Sequence, residues 1–319
     1  MKYYAGIDLG GTNIAVGIVD ENYQIVGKAK KKTNVPRPAE EIADDMAEAT
    51  RQAAADAGLE MSNIEWVGIG TPGVVNQETG EIEYSNNLRF DRVPMVKLVQ
   101  DRLGLPVYME NDANAATYGE ALAGAAKGVR NVIGVTLGTG VGGGIIIDGK
   151  IYSGSNYAAG ELGHTVIVHD GRPCTCGRKG CFESYASATG LIAMTREYLQ
   201  AHPEDGMWHY CDNDLAKVNG RTAFEAMRAG LAGGKLIVDK YLDYLGCGIM
   251  NMINIFQPDV LFIGGGISKE GETILAPLRR YVERERYTRN SQKNTEIVAA
   301  KLGNDAGIIG AAFLGKLHA

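Results

Sequence analysis

His164, Cys174, Cys176 and Cys181 follow the spacing H-x9-C-x-C-x4-C, in a chain that has only five cysteines among 319 residues. Cysteines one residue apart are poorly placed to join each other in a disulfide, and Gly177 and Gly180 let the backbone turn around a shared centre. Three thiolates and one imidazole make a closed tetrahedral zinc site, and four protein ligands mark a structural metal. The competing reading is a surface loop with free thiols. Cys211 and Cys247 stand apart and read as packing residues.

Three glycine clusters offer a second kind of chemistry. "DLGGTN" (Asp8–Asn13) sets a carboxylate at a strand end and two glycines in the next turn. Backbone N–H groups of such a turn can point at phosphate oxygens, and the acid can hold a hydrated Mg2+ beside them. An ordinary tight hairpin with a solvated Asp remains the alternative. "LGTGVGGG" (Leu137–Gly144) and "IGGGIS" (Ile263–Ser268) are the other two clusters. None fits the P-loop pattern, which needs Gly-Lys-Ser/Thr after its four-residue gap.

"MENDANAATYGE" (Met109–Glu120) places Glu110, Asn111, Asp112 and Asn114 where a strand gives way to a helix. One of the four is accounted for as an N-cap. A carboxylate at such a junction can also act as general base toward a substrate hydroxyl.

The elements that must position these groups alternate along the N-terminal part. "YYAGIDLG", "NIAVGIVD" and "QIVGKAKKKT" read as consecutive strands. "PAEEIADDMAEATRQAAADAG" reads as a helix that opens on proline and acids and stops at Gly58. A strand "IEWVGIGTPG", a helix near 94–103, a strand "PVYMEND" and the helix "AATYGEALAGAA" follow, then strands "NVIGVTLG", "GGGIIIDG" and "KIYSG". After Ser187 the pattern is largely helical, with strands at "DVLFIGGGIS" and near "TEIVAAKL" before a final helix. "GIDLGGTNIAVGIVD" and "GVTLGTGVGGGIIID" align without a gap, with Gly6/Gly134, Leu9/Leu137, Gly10/Gly138, Ile18/Ile146 and Asp20/Asp148 coinciding. The match predicts either a duplicated domain with two phosphate-facing hairpins or a chance likeness between Gly-rich hairpins.

The length suggests two domains. A net charge of −6 lacks the basic stripe of a nucleic-acid surface. The start passes straight into a strand pattern with no cationic and apolar leader, and the longest apolar stretch (245–256) is too short to cross a bilayer. Cytoplasm, with reduced cysteines, is the expected location, with neither membrane nor nucleic acid as partner.

Together the motifs "GIDLGGTN", "GIGTPG", "ENDANAA", "LGTGVGGG", "GELGH", "CTCGRKGCFE", "IGGGIS" and "LGNDAG" resemble the ROK family of sugar kinases over nearly the whole chain. The zinc segment C-x-C-G-x-x-G-C-x-E is the most specific of them. Within the family the chain is most similar to bacterial ATP-dependent glucokinases. The resemblance implies an α/β, two-domain actin-like (ribonuclease H-like) sugar kinase fold with a central cleft. Its small domain would comprise residues 1–118 plus 305–319, and its large domain residues 119–304.

The resemblance also implies roles. Asp112 would take the proton from the sugar 6-hydroxyl, Asn111 and Asp112 would bind the 4- and 6-hydroxyls, and Glu161 the 2- and 3-hydroxyls. His164 would touch the anomeric side with one ring nitrogen and zinc with the other, Glu183 would close that side, and Gly73 would offer its N–H. Asp8, Gly10, Gly11, Thr12, Thr139 and Gly140 would serve the Mg2+ and phosphates of ATP, and Gly264, Gly265 and Gly266 the adenosine. Many relatives carry lysine where this chain has Asn13, so a cation near the phosphates is missing. A homodimer or higher homo-oligomer is implied as well.

Three rivals are weighed against this reading. A DNA-binding repressor of the same family needs a helix-turn-helix ahead of the first glycine motif, and Gly6 leaves no room for one. An Hsp70-like ATPase has no use for Asn111, Asp112, Glu161, His164 and Glu183. A kinase for fructose, mannose, allose or an N-acyl-hexosamine stays open, as does polyphosphate as donor, although "IGGGIS" favours a nucleoside.

Overall fold

The computed structural model describes residues 1–318. Three strands open the chain, β1 (Tyr3–Leu9), β2 (Asn13–Asp20) and β3 (Ile25–Lys32), paired as an antiparallel meander. Helix α1 (Ala39–Asp56) begins after Pro38, with Glu40 and Glu41 in the turn where the helix dipole favours negative charge. Its apolar face, with Ile42, Met46 and Ala53, is buried with Ile7, Val16 and Ile69 of the sheet. β4 (Ile64–Thr71) is followed by a small antiparallel sheet of β5 (Val74–Asn76), β6 (Glu81–Ser85) and β7 (Phe90–Val93). Then come α2 (Met95–Leu103), β8 (Val107–Asn111) and α3 (Asp112–Ala123). The main sheet has the order β3-β2-β1-β4-β8, and β1, β4 and β8 run parallel.

The second half repeats this plan. β9 (Val132–Leu137), β10 (Val141–Ile147) and β11 (Lys150–Ile151) precede α4 (Glu183–Ala186), α5 (Ala188–Ala201), α6 (Thr222–Arg228) and α7 (Ala232–Phe256). β12 (Val260–Gly264), α8 (Glu272–Glu285), β13 (Glu296–Ala299) and α9 (Asp305–Ala312) complete the chain. The sheet order is β11-β10-β9-β12-β13, with the last pair parallel. Read by position, this is the order of the first sheet again. The likeness of the two glycine hairpins therefore extends to whole topologies, which favours duplication over chance.

Packing divides the chain into two compact units. The first holds Met1–Gly134, Gly143–Gly160 and the stretch from Ala300; the second holds Val135–Gly142 and Glu161–Ala299. In the first, α9 lies directly on the sheet, since a Cβ on Gly68 would stand 1.7 Å from the Ala311 carbonyl oxygen. In the second, α7 buries Tyr241, Leu245 and Ile249. Among the described residues no helix is long and apolar enough to cross a membrane.

Candidate active site

In the first unit, Asp8, Gly70 and Glu110 stand abreast at the carboxyl ends of three parallel strands. Burial, and then the nearby charge of Asp112, push the Asp8 carboxyl up to about 6. Gly10, Gly11 and Thr12 form the turn that follows, closed by Gly10 N–H donating to the Asn13 carbonyl at 2.9 Å. Thr33, fully buried, clamps this turn from outside. Its hydroxyl donates to the Gly10 carbonyl at 2.6 Å and its N–H to the Thr12 carbonyl at 3.0 Å. Behind it Arg37 donates to the Thr33 carbonyl at 2.8 Å and pairs with Asp45. The Asn13 amide oxygen is buried without a hydrogen-bond partner.

At the junction of β8 and α3, Asn111 is the N-cap. Its Oδ1 accepts from Ala113 N–H at 2.9 Å and Asn114 N–H at 3.2 Å, and its Nδ2 donates to the Gly73 carbonyl at 3.2 Å. Asp112 is thereby released from capping and opens the helix. Burial pushes its carboxyl above the usual range, and hydrogen bonds from Ala113 N–H at 2.8 Å and from its own N–H offset only part of that. A carboxylate held so is a stronger base than one in water.

In the second unit, the hairpin between β9 and β10 carries Thr139 and Gly140. The start of α5 holds it: Ala188 N–H donates to the Gly138 carbonyl at 2.9 Å, and the Thr189 hydroxyl to the Thr139 carbonyl at 2.8 Å. Next to it lies a cavity of about 780 Å³, lined among others by Leu137, Thr139, Ala188, Phe224, Gly266 and Ile267. That volume falls within the range of small-molecule and cofactor sites. Gly264 ends β12 and Gly265 turns sharply at φ 82°, where a Cβ would come 2.4 Å from the Leu137 carbonyl oxygen. Only glycine fits between the two strands there.

The same unit gathers His164, Cys174, Cys176 and Cys181, whose ligand atoms all lie within 4.8 Å of one another. His164 Nδ1 is 3.6 Å from Cys174 Sγ, and Cys176 Sγ is 3.6 Å from Cys181 Sγ. Ligand atoms sharing a tetrahedral zinc ion stand about 3.6–3.8 Å apart, so the donor set fits that ion. Burial opposes ionisation of Cys174, but hydrogen bonds from Cys176, Cys181 and His164 hold its thiol down to about 7. Burial and the two neighbouring sulfurs push Cys181 up to about 12. A divalent cation among these sulfurs would stabilise their thiolate forms. The other ring nitrogen, Nε2 of His164, faces Glu161 Oε2 at 3.9 Å. Glu183, at the start of α4, accepts from Val141 N–H at 2.9 Å through one oxygen and sets the other 3.9 Å from Cys174 Sγ.

Each unit thus assembles its own share of the residues singled out by sequence. Asp8, Gly10, Gly11, Thr12, Gly73, Asn111 and Asp112 belong to the first; Thr139, Gly140, Glu161, His164, Glu183, Gly264–Gly266 and the cysteines belong to the second. Thr33, Thr189 and Phe224 escaped the sequence reading. A lone threonine at a strand end and a phenylalanine on a short helix carry no local pattern, and both act only through chain folded back from elsewhere.

A model described as the ROK family matches residues 4–317. A glucokinase of Streptomyces coelicolor is 39% identical over 316 residues, covering 98% of this chain and 96% of the relative. A glucokinase of Thermotoga maritima is 37% identical, with 98% and 96% covered. Among solved structures, the ROK family glucokinase from Streptomyces griseus in complex with glucose and AMPPNP is similar at a TM-score of 0.80 and 37% identity, with 98% of each chain covered.

Proposed function

The chain belongs to the ROK family, and from that premise we propose that it phosphorylates glucose at the 6-hydroxyl with ATP as donor. The observation that carries the reading is the division of labour at the β8–α3 junction. Asn111 satisfies the helix end, and Asp112 is left with a raised carboxyl pKa beside the first glycine turn. In the proposed reaction Asp112 accepts the proton of the 6-hydroxyl as that oxygen bonds to the γ-phosphorus. The bond from the γ-phosphorus to the bridging oxygen breaks, and ADP leaves.

The remaining roles are those the family resemblance implies, and the groups available in each unit are compatible with them. Asn111 has an Nδ2 donor and Gly73 a backbone N–H for sugar oxygens; Glu161, His164 Nε2 and Glu183 supply polar groups for carbons 1 to 3. Gly10, Gly11 and Thr12, with Thr139 and Gly140, present backbone dipoles to phosphate oxygens, so charge neutralisation and positioning do most of the work. Mg2+, when bound, neutralises phosphate charge, and Asp8 is the carboxylate suited to its hydration shell. Zn2+, when bound, locks His164, Cys174, Cys176 and Cys181 into one rigid wall. The adenosine takes the cavity beside Gly264–Gly266. A homodimer and a cytoplasmic location belong to the same reading, and sedimentation at about twice the chain's 34.1 kDa checks the first.

A panel of sugars assayed with MgATP tests the substrate. Glu161 would be crowded by an N-acetyl group at carbon 2, and a site built for a hydroxyl leaves its own groups unpaired without one. Glucose should exceed N-acetylglucosamine and N-acetylmannosamine by at least about 100-fold in kcat/KM, with mannose a weak substrate. Equal kcat/KM for glucose and either N-acetyl sugar, or a clear preference for fructose or allose, would overturn the glucose assignment. Turnover with polyphosphate matching that with ATP would overturn the donor.

A further inference from the structure

Glu110 is a carboxylate with 2% of its surface exposed and no part in the chemistry described above. Four donors converge on it. Oε1 accepts from Asn111 N–H at 2.8 Å and from Asn114 Nδ2 at 3.1 Å; Oε2 accepts from the Ser153 hydroxyl at 2.9 Å and from the Gln77 side-chain amide. Gln77 also reaches the Ser153 hydroxyl at 3.3 Å. The four donors fill the lone pairs of an ionised carboxylate, so the network is complete. They come from three separate stretches of the first unit. Asn111 and Asn114 belong to the strand–helix junction, Gln77 follows β5, and Ser153 follows β11 on the segment that runs to Glu161 in sequence.

Stability alone does not call for such an arrangement, because well-packed apolar side chains often serve a buried position as well or better. What the carboxylate adds is direction: it fixes the Asn111 peptide, and hence the angle at which the next residue leaves the strand. We propose that Glu110 is a positioning residue for the phosphoryl transfer, setting Asp112 through the Asn111 backbone and holding the Ser153 segment to the same point. The inference rests on the reading of Asp112 as the base.

The test is a double-mutant cycle on the full-length enzyme with glucose and MgATP. Glu110→Gln keeps the shape but leaves one neutral oxygen for two pairs of donors, so the Asn111 N–H loses its charged acceptor and the network can no longer be satisfied on both sides. Its kcat should fall about 10- to 100-fold, the cost of misplacing a reacting group by about 1 Å. The KM for ATP should stay near wild type. In an Asp112→Asn background, adding Glu110→Gln should change the residual kcat by less than about 2-fold, because the group it positions no longer acts. Ser153→Ala, which removes one donor and leaves Glu110 itself in place, should reproduce part of the kcat loss. Equal fold-losses in both backgrounds, or wild-type kcat in both Glu110→Gln and Ser153→Ala, would overturn the inference. Wild-type turnover in Asp112→Asn alone would instead remove the base reading, and this inference with it.

Discussion

The carboxylate of Glu183 accepts a hydrogen bond from the Val141 backbone N–H at 2.9 Å while its other oxygen lies 3.9 Å from Cys174 Sγ. One side chain therefore joins the cysteine loop to the second glycine hairpin, and disturbance of the loop should reach the nucleotide as well as the sugar. Elemental analysis should find one zinc per chain. Cys176→Ser should lower zinc content and melting temperature, weaken glucose binding, and raise the KM for ATP several-fold. Full activity in that variant, or no zinc in gently purified protein, contradicts the assignment.

Thr33→Val keeps the shape of a buried side chain and removes the hydroxyl that holds the Gly10 carbonyl. The lost hydrogen bond should cost about 1 kcal/mol of stability. The KM for ATP should rise about 5-fold, near that same energy, with the KM for glucose unchanged. Equal changes in both KM values would show a general loosening rather than a clamp on the first phosphate turn.

Asp8 gives a pH dependence. Its folded pKa of about 6 lies above the ordinary 3.8, raised by burial and by Asp112. The protonated form is thus favoured by folding. The stability it contributes is complete below about pH 4 and is lost as pH rises through about 6. Asp8→Asn should stabilise the metal-free protein by about 1–2 kcal/mol at pH 7 and change little at pH 4. The same variant should lose most of its turnover, and in the wild type kcat/KM, which reports groups of the free enzyme, should climb through about pH 6 as Asp8 ionises. Thermal melts at the two pH values check the sign; destabilisation at pH 7 refutes it.

Gly265→Ala places a Cβ 2.4 Å from the Leu137 carbonyl oxygen at a φ of 82°. The strain should cost about 2 kcal/mol or more and raise the KM for ATP beyond 10-fold. Glucose binding, measured separately, should hold. An unchanged KM for ATP would remove this turn from the nucleotide site.

Several features of the molecule were legible from local pattern. β1 and β2 meet at the Gly10–Gly11 turn, α1 opens on Pro38 and acids, and the H-x9-C-x-C-x4-C spacing brings four ligand atoms together. The "ENDAN" junction was legible as a place but not as a division of labour, because capping by Asn111 depends on which side chain turns back to the helix end. The β5–β6–β7 sheet escaped notice since its strands are only three to five residues long and mix polar and apolar side chains without a run long enough to show a pattern. Thr33 and Ser153 were invisible for a different reason. Each acts on a residue 23 or 43 positions away, a distance that no periodicity encodes.

The central claim is that Asp112 takes the proton in an ATP-dependent phosphorylation of glucose, and it is tested most directly by the kcat of Asp112→Asn at saturating glucose and MgATP, read beside the glucose Kd. The amide keeps the shape of the carboxyl group and cannot accept the proton, so kcat should fall about 10²- to 10⁴-fold while the Kd stays within a few-fold of wild type. A variant that keeps a tenth or more of wild-type turnover contradicts the account.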